Sequence, residues 1–130
     1  MMFVSSARAA PVRTRHGLRS TILLQAGDTR DAALAVTWVD VQPGAEQEPH
    51  SHDPQQVYVI VAGAGRMRVA DEVRDISAGD LVFVPSRAPH GIVNTTAETL
   101  TYISSATPTF SITDLYDTGQ LVESSAPDPR

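Results

Sequence analysis

The chain has no cysteine and no lysine. Without cysteine it can form no disulfide framework, zinc ribbon or iron–sulfur cluster, so nitrogen and oxygen atoms must hold any bound metal. Without lysine it has neither a Schiff-base nor a phosphate-loop lysine. Its ten basic residues are all arginine, against 15 acidic ones, and the net charge is −5. No basic patch is visible, and the sequence therefore predicts no nucleic-acid partner.

Long apolar runs are missing as well. None approaches the roughly 18 residues that a membrane-spanning helix needs, so we expect no membrane partner. The N-terminal segment places a short apolar patch before its arginines, whereas a secretory signal places charge before a longer apolar core. We therefore expect a loose N-terminal arm over residues 1–19 and a cytoplasmic location.

The chain does contain a series of short apolar and β-branched segments separated by turn residues. Strands are predicted at 21–26, 33–41, 56–65, 81–85, 91–94 and 98–106, with a hairpin at 66–76. None of these segments shows the 3.6-residue period of a helix. Such a series favours an all-β sandwich or barrel, here over residues 20–115. A single helical turn capped by Thr113 and a flexible tail over 116–130 are expected to follow.

Three of the four histidines lie at two places in the sequence, a close pair at 50 and 52 and a third at 90. His50 and His52 are two residues apart, and the alternation of an extended strand points both imidazoles the same way. Gln56, at even spacing, joins that face if extended pairing continues. His90 begins another strand, where a neighbouring sheet position would bring it to the same point. A lone His-x-His pair is weak support for a metal site, and imidazoles suit several transition metals equally.

The spacing around these histidines resembles the two motifs of the cupin superfamily. The first motif is matched by Gly44, five residues, His50-Ser51-His52, three residues, Gln56, six residues and Gly63. The second is matched by Gly79, five residues, Pro85, one residue, Arg87, two residues, His90, three residues and Asn94. Two positions depart from the family pattern: Gln56 replaces the usual glutamate, and Arg87 replaces a glycine.

The resemblance implies a double-stranded β-helix, or jelly-roll, cupin barrel with one divalent transition metal inside it (manganese, iron, nickel, zinc or copper). It implies that His50, His52, His90 and Gln56 are the metal ligands. The neutral carbonyl oxygen of Gln56 in place of a carboxylate would leave the metal a stronger Lewis acid. The alternative is that Gln56 only forms hydrogen bonds and that three histidines hold the metal.

Three further side chains are candidates for a catalytic role. Tyr58 and Tyr102 carry hydroxyl groups that could move a proton, although an aromatic residue on a barrel strand usually belongs to the core. Arg87 could anchor a substrate carboxylate at the barrel mouth. The alternative for Arg87 is a solvated side chain or an ion pair with Asp80 or Glu48.

Alternation along residues 56–62 predicts two different faces of one strand. The inner face would carry Tyr58, Ile60 and Ala62, with Trp38 and Phe83 as further candidates for lining the barrel. The outer face would carry Val57, Val59 and Val61. An exposed apolar face of this kind often marks an interface, and we therefore expect a homodimer.

A metal in an apolar pocket favours an enzyme that acts on a small organic molecule by dioxygenase, lyase or isomerase chemistry. One alternative is a non-catalytic cupin that binds or senses a small molecule, and another is a metal-free structural barrel. Because one cupin scaffold serves many functions, the fold cannot choose the reaction or name the substrate.

Overall fold

The computed structural model describes residues 2–108 and 112–117. This part of the chain contains nine strands and one short helix. They are β1 (Val12–Arg15), β2 (Leu18–Leu24), β3 (Ala35–Val41), β4 (Gln55–Ala62), β5 (Ala64–Val69), β6 (Glu72–Ser77), β7 (Leu81–Val84), β8 (His90–Val93), β9 (Leu100–Thr107) and α1 (Ile112–Asp117). The all-β prediction is confirmed, including the hairpin predicted at 66–76.

The strands form two antiparallel sheets that share one core. The larger sheet has the order β1-β2-β3-β9-β4-β7, and the smaller has the order β6-β5-β8. Val41 and Tyr58 from the larger sheet pack in one cluster with Met67 and Ile92 from the smaller. Burying these apolar side chains between the sheets is the main source of stability, at about 25 cal/mol for each Å² removed from water.

Strand β3 shows how alternation sets the inner and outer faces. Ala35, Thr37 and Val39 are buried, whereas Trp38 between them is only half-buried. Successive side chains of a strand point to opposite faces, so Trp38 lies on the outside. The suggestion that Trp38 lines the barrel is therefore wrong.

The N-terminal region differs from the predicted loose arm. Residues 12–15 form β1, which pairs with β2 in an antiparallel hairpin. His16 and Gly17 connect the two strands with φ values of 49° and 84°. Two successive positive φ values match the twist of a tight hairpin, and glycine adopts them at little cost. The sequence carried this signal in His16-Gly17, and the loose-arm prediction is wrong for residues 12–19.

The C-terminal helix also departs from its prediction. Thr113 lies inside α1, and the side-chain oxygen Oε1 of Gln25 accepts hydrogen bonds from the backbone N–H groups of Ile112 and Thr113. The cap is therefore Gln25, from a distant part of the chain, and not Thr113. Of the tail predicted over 116–130, residues 118–130 lie outside the described residues.

Two motif residues shape the turns that hold the strands in place. Gly63 has a φ of 81°, and a Cβ atom there would lie 2.5 Å from the carbonyl oxygen of Thr99, so the position requires glycine. The amide of Asn94 donates to the carbonyl oxygens of Val41 and Glu98, while its Oδ1 accepts from the backbone N–H of Thr96. Asn94 thus ties down a turn.

No helix within residues 2–108 and 112–117 is long and apolar enough to cross a membrane.

Candidate metal centre

His50 and His90 lie directly opposite each other on two neighbouring segments of the chain. The backbone N–H of each residue donates to the carbonyl oxygen of the other, and both distances are 2.9 Å. The two residues form an antiparallel bridge, and their ring centroids lie 4.3 Å apart. The expected approach of His90 to the first histidine pair is therefore present.

His52 completes a cluster of three imidazoles. Its ring centroid lies 5.6 Å from that of His50 and 4.8 Å from that of His90. One ring nitrogen from each residue can be chosen so that all three lie within 4.8 Å of one another. His52 and His90 are 3% and 0% exposed, and His50 is 9% exposed. The three residues form a group that could hold a metal ion.

The second ring nitrogen of each histidine is tied to the backbone. In all three rings Nδ1 lies against a carbonyl oxygen, at 3.2 Å from Glu48 for His50, 2.9 Å from Pro54 for His52 and 2.9 Å from Ala88 for His90. A carbonyl oxygen only accepts, so Nδ1 must donate and the neutral ring carries its lone pair on Nε2. Outer hydrogen bonds of this kind fix the tautomer and orientation of metal-binding histidines.

Gln56 stands beside the cluster, near the start of β4. Its Oε1 lies 2.8 Å from Nε2 of His52, and its Nε2 donates to the hydroxyl oxygen of Ser104 at 2.5 Å. The strand pairs Gln56 with Ala106 on one side and Val84 on the other. Extended pairing does not continue from His52 to Gln56, because residues 53–54 form a bend and β4 begins at Gln55. The alternation argument for Gln56 is therefore wrong, although the fold does place its side chain beside His52.

The two candidate tyrosines lie together in the buried interior. Tyr58 and Tyr102 stack with ring centroids 4.3 Å apart and an angle of 5° between the rings. The Tyr58 hydroxyl donates to Oε1 of Gln47 at 2.9 Å, and its ring meets the His90 ring edge-on at 6.0 Å. Tyr58 therefore places a hydroxyl group close to the histidine cluster.

Arg87 lies at the edge of this site, where its backbone N–H donates to the carbonyl oxygen of His52 at 2.7 Å. Its side chain is 78% exposed and pairs with Asp53 at 2.9 Å, and not with Asp80 or Glu48. Arg87 has a φ of 68°, a conformation that explains why the family places glycine there. The Arg87 side chain is not among the residues that line the cleft, and its role as a substrate anchor stays a prediction.

Two other lining candidates also face outward. Phe83 is half-exposed on β7, so the suggestion that it lines the barrel is wrong. Ala62 is exposed because the pairing of β4 with β9 slips between Ile60 and Ala62, which ends the regular alternation. Tyr58 and Ile60 are buried on the inner face as predicted.

His50 and His52 line a cleft of about 60 Å³ that is partly open to solvent. Its walls combine the tyrosines with small and polar side chains from β2, β3 and β9. Sequence reasoning missed Ser20, Thr37, Gln47, Ser104 and Ile112 among these lining residues. Ser20, Thr37 and Ser104 sit at buried, alternating strand positions, so the inward register of each strand was the signal available for them. Ile112 packs against Ile22 and Ala35, which are distant in sequence, and no local pattern indicated this contact.

Superposition on solved structures identifies the fold. An RmlC-like cupin from Shewanella frigidimarina superposes with a TM-score of 0.73 at 24% identity, covering 88% of this chain and 96% of that one. KdgF from Halomonas sp. superposes with a TM-score of 0.71 at 23% identity, covering 83% of this chain and 94% of that one. The fold is the expected jelly-roll barrel.

A characterised relative is similar over a shorter stretch. The dimethylsulfoniopropionate lyase DddW of Ruegeria pomeroyi is 31% identical over 64 residues, which cover 49% of this chain. The matched stretch spans 41% of the length of that lyase.

The family model of the cupin domain matches residues 37–105, just over half of the chain. This range contains both sequence motifs and all three clustered histidines, and the chain belongs to the cupin family.

Proposed function

We propose that the protein is a metal-dependent enzyme that acts on a small organic molecule by lyase chemistry. The observation that carries the proposal is the convergence of three buried imidazoles whose Nδ1 atoms are all engaged by backbone carbonyl oxygens. That arrangement presents Nε2 lone pairs from three residues to one small region, which suits a divalent transition metal.

Gln56 is proposed as the fourth ligand. Its Oε1 and Nε2 of His52 are 2.8 Å apart, which is close to the spacing of two neighbouring ligands in an octahedral shell with bonds of roughly 2.1 Å. The donor set of three nitrogens and one carbonyl oxygen is neutral. A metal held by neutral ligands keeps its full charge and would supply Lewis-acid polarisation to a bound substrate.

Tyr58 is proposed as the group that moves a proton. Its hydroxyl lies at the wall of the same cleft, and the hydrogen bond to Gln47 fixes its direction. Stacking on Tyr102 holds the ring in place. A hydroxyl fixed beside a polarised substrate can take or return a proton. Tyr102 serves to position Tyr58 in this scheme.

The lyase class is favoured over dioxygenase or isomerase chemistry by the similarity to the Ruegeria enzyme. Elimination from dimethylsulfoniopropionate breaks one C–H bond and one C–S bond, forms a C=C bond, and yields dimethyl sulfide, acrylate and a proton. Tyr58 would have to act as the phenolate to accept that proton, and the positive charge of a metal held beside it would stabilise the phenolate. The proposal for this chain is the reaction class, with dimethylsulfoniopropionate as the first substrate to be tried.

The test is turnover by protein loaded separately with manganese, iron, nickel, zinc or copper. Dimethyl sulfide is measured by gas chromatography, and oxygen uptake is followed with an electrode. The proposal expects metal-dependent elimination that Tyr58→Phe abolishes while metal content is unchanged. Oxygen consumption coupled to turnover would assign an oxygenase instead. Binding without turnover would assign the alternative role, a sensor or small-molecule-binding cupin.

We further propose that the protein acts as a homodimer in the cytoplasm. The dimer is supported by an apolar outer face on the larger sheet, where Trp38, Ile103, Val59 and Leu81 lie side by side on four neighbouring strands. Leu81 is 61% exposed. A large apolar side chain so exposed in a continuous row is typical of an interface between copies.

A further inference from the structure

The floor of the cleft runs across the strands of the larger sheet. Ala35 on β3 lies opposite Ala106 on β9, and Ala106 lies opposite Gln56 on β4. In the next inward row, Thr37 lies opposite Ser104. Small side chains thus cover the floor between β4, which carries Gln56, and β3. They leave a narrow space of about 60 Å³, which only a short and slender chain fits.

Ile112 closes the far end of this floor. It is 7% exposed, lines the cleft, and packs with Ile22 and Ala35 in a small apolar cluster. Ala35 is two strands from Gln56, and two strand spacings are about 10 Å. The histidine cluster and Ile112 therefore stand at opposite ends of the cleft.

Two contacts hold α1 in this position. Oε1 of Gln25, a buried residue, accepts from the N–H groups of Ile112 at 2.7 Å and Thr113 at 2.9 Å. At the other end of the helix, the guanidinium of Arg13 donates to both carboxylate oxygens of Asp117, at 2.8 and 3.1 Å. That hydrogen bond lowers the pKa of the Asp117 carboxyl below its ordinary value. Arg13 in the first hairpin and Gln25 directly after β2 thus fix the position of Ile112.

We propose that Ile112 is a specificity-determining residue that sets how long a molecule can be when its head group lies at the histidines. This inference rests on the proposed metal site. A chain that lies over Ala106 and Ala35 gains apolar contact with each methylene until it meets the Ile112 side chain. A longer chain must displace α1 or bend out of the cleft.

Straight-chain alkyl hydroxamates test the proposal, because their head group chelates metal and their length can be varied one carbon at a time. Binding to the cobalt(II)-loaded protein is followed by visible absorption. Affinity is expected to rise about fourfold for each added methylene until the chain reaches Ile112, and then to fall. Ile112→Ala should move the best length to a longer chain by about one or two carbons. Ile112→Trp should move it to a shorter chain.

Two further proteins make the result decisive. Ile112→Val removes one methylene and keeps the apolar contact with Ile22, so it should fold and show a smaller shift in the same direction as Ile112→Ala. Val73→Ala truncates an apolar side chain on the smaller sheet, away from the cleft and from the proposed dimer face, and should leave the best length unchanged.

The outcomes separate the two proposals. An identical best length in the wild type and all Ile112 variants, with acetohydroxamate bound equally by each, would overturn the role of Ile112 and leave the metal site standing. Failure of every protein to take up cobalt would overturn the metal site, and the inference about Ile112 with it.

Discussion

The side-chain oxygen of Gln56 lies 2.8 Å from Nε2 of His52. Because Nδ1 of His52 donates to Pro54, Nε2 of the neutral ring is an acceptor, and two acceptors so close repel each other. A metal ion bound by both atoms removes the repulsion. A rotated amide would also remove it, since Nε2 of Gln56 would then donate to His52 and Oε1 would accept from the Ser104 hydroxyl.

Substitution of Gln56 separates these two arrangements. If Oε1 is a ligand, Gln56→Ala should weaken metal binding by about tenfold, since three histidines remain. Gln56→Glu should tighten binding, because a carboxylate adds Coulomb attraction, and should slow a reaction driven by Lewis-acid polarisation. Affinity is measured by competition with a chelating dye. The exposed neighbour Gln55 provides the control, since Gln55→Glu adds the same charge on the other face. Unchanged affinity in both Gln56 variants would leave three histidines as the protein ligands.

Ser104 should matter to the metal although it is too far along the chain to belong to either motif. Its hydroxyl oxygen accepts from the Gln56 amide and so turns Oε1 towards His52. Ser104→Ala should therefore reduce metal affinity several-fold without unfolding the protein, as lost orienting contacts do in metal sites. Ser105→Ala, on the opposite face of β9, is the matched control. Equal affinity in the two variants would show that Ser104 does not position Gln56.

The hydrogen bond between Tyr58 and Gln47 should be measurable in the metal-free protein. Tyr58→Phe keeps the stacked ring but leaves Oε1 of Gln47 without that donor, which should lower the free energy of unfolding by about 1 kcal/mol. Urea unfolding of Tyr58→Phe, Gln47→Ala and the double variant gives the coupling between the two residues. Zero coupling would mean that Gln47 does not hold the tyrosine hydroxyl.

The outer face of β4 and β7 should join two copies of the chain. Val59 and Leu81 are paired and exposed there, so Val59→Glu should place charges in the proposed interface and convert the dimer to a monomer. Light scattering across a range of concentrations measures the change. Val73→Glu is the control, because Val73 is half-exposed on the smaller sheet. A wild-type protein that is monomeric at every concentration would contradict the dimer.

Local spacing was enough to predict most of the histidine cluster. The two-residue spacing indicated that His50 and His52 lie together, and β8, which begins at His90 directly after Pro89, brings in the third histidine through its bridge to His50. The same reasoning failed at Phe83 and Trp38, because a short run of apolar residues does not reveal which face meets the core. At Ala62 it failed because the register of β4 slips.

The far end of the cleft depends on contacts that no local pattern encodes. Gln25 caps a helix 87 residues further along the chain, and Arg13 pairs with Asp117 across 104 residues. Neither residue belongs to a motif, and Ile112 stands in a short segment with no marked periodicity. Only the folded chain shows that these residues close the cleft.

The metal content of the purified protein tests the central claim most directly. Protein prepared without chelator should carry close to one divalent ion per chain by elemental analysis, and His16→Ala, which changes an exposed histidine in the first hairpin, should carry the same. The double variant His50→Ala, His52→Ala should lose the ion, because two of the three converging imidazoles are gone. A double variant that retains a full equivalent of metal would contradict the site.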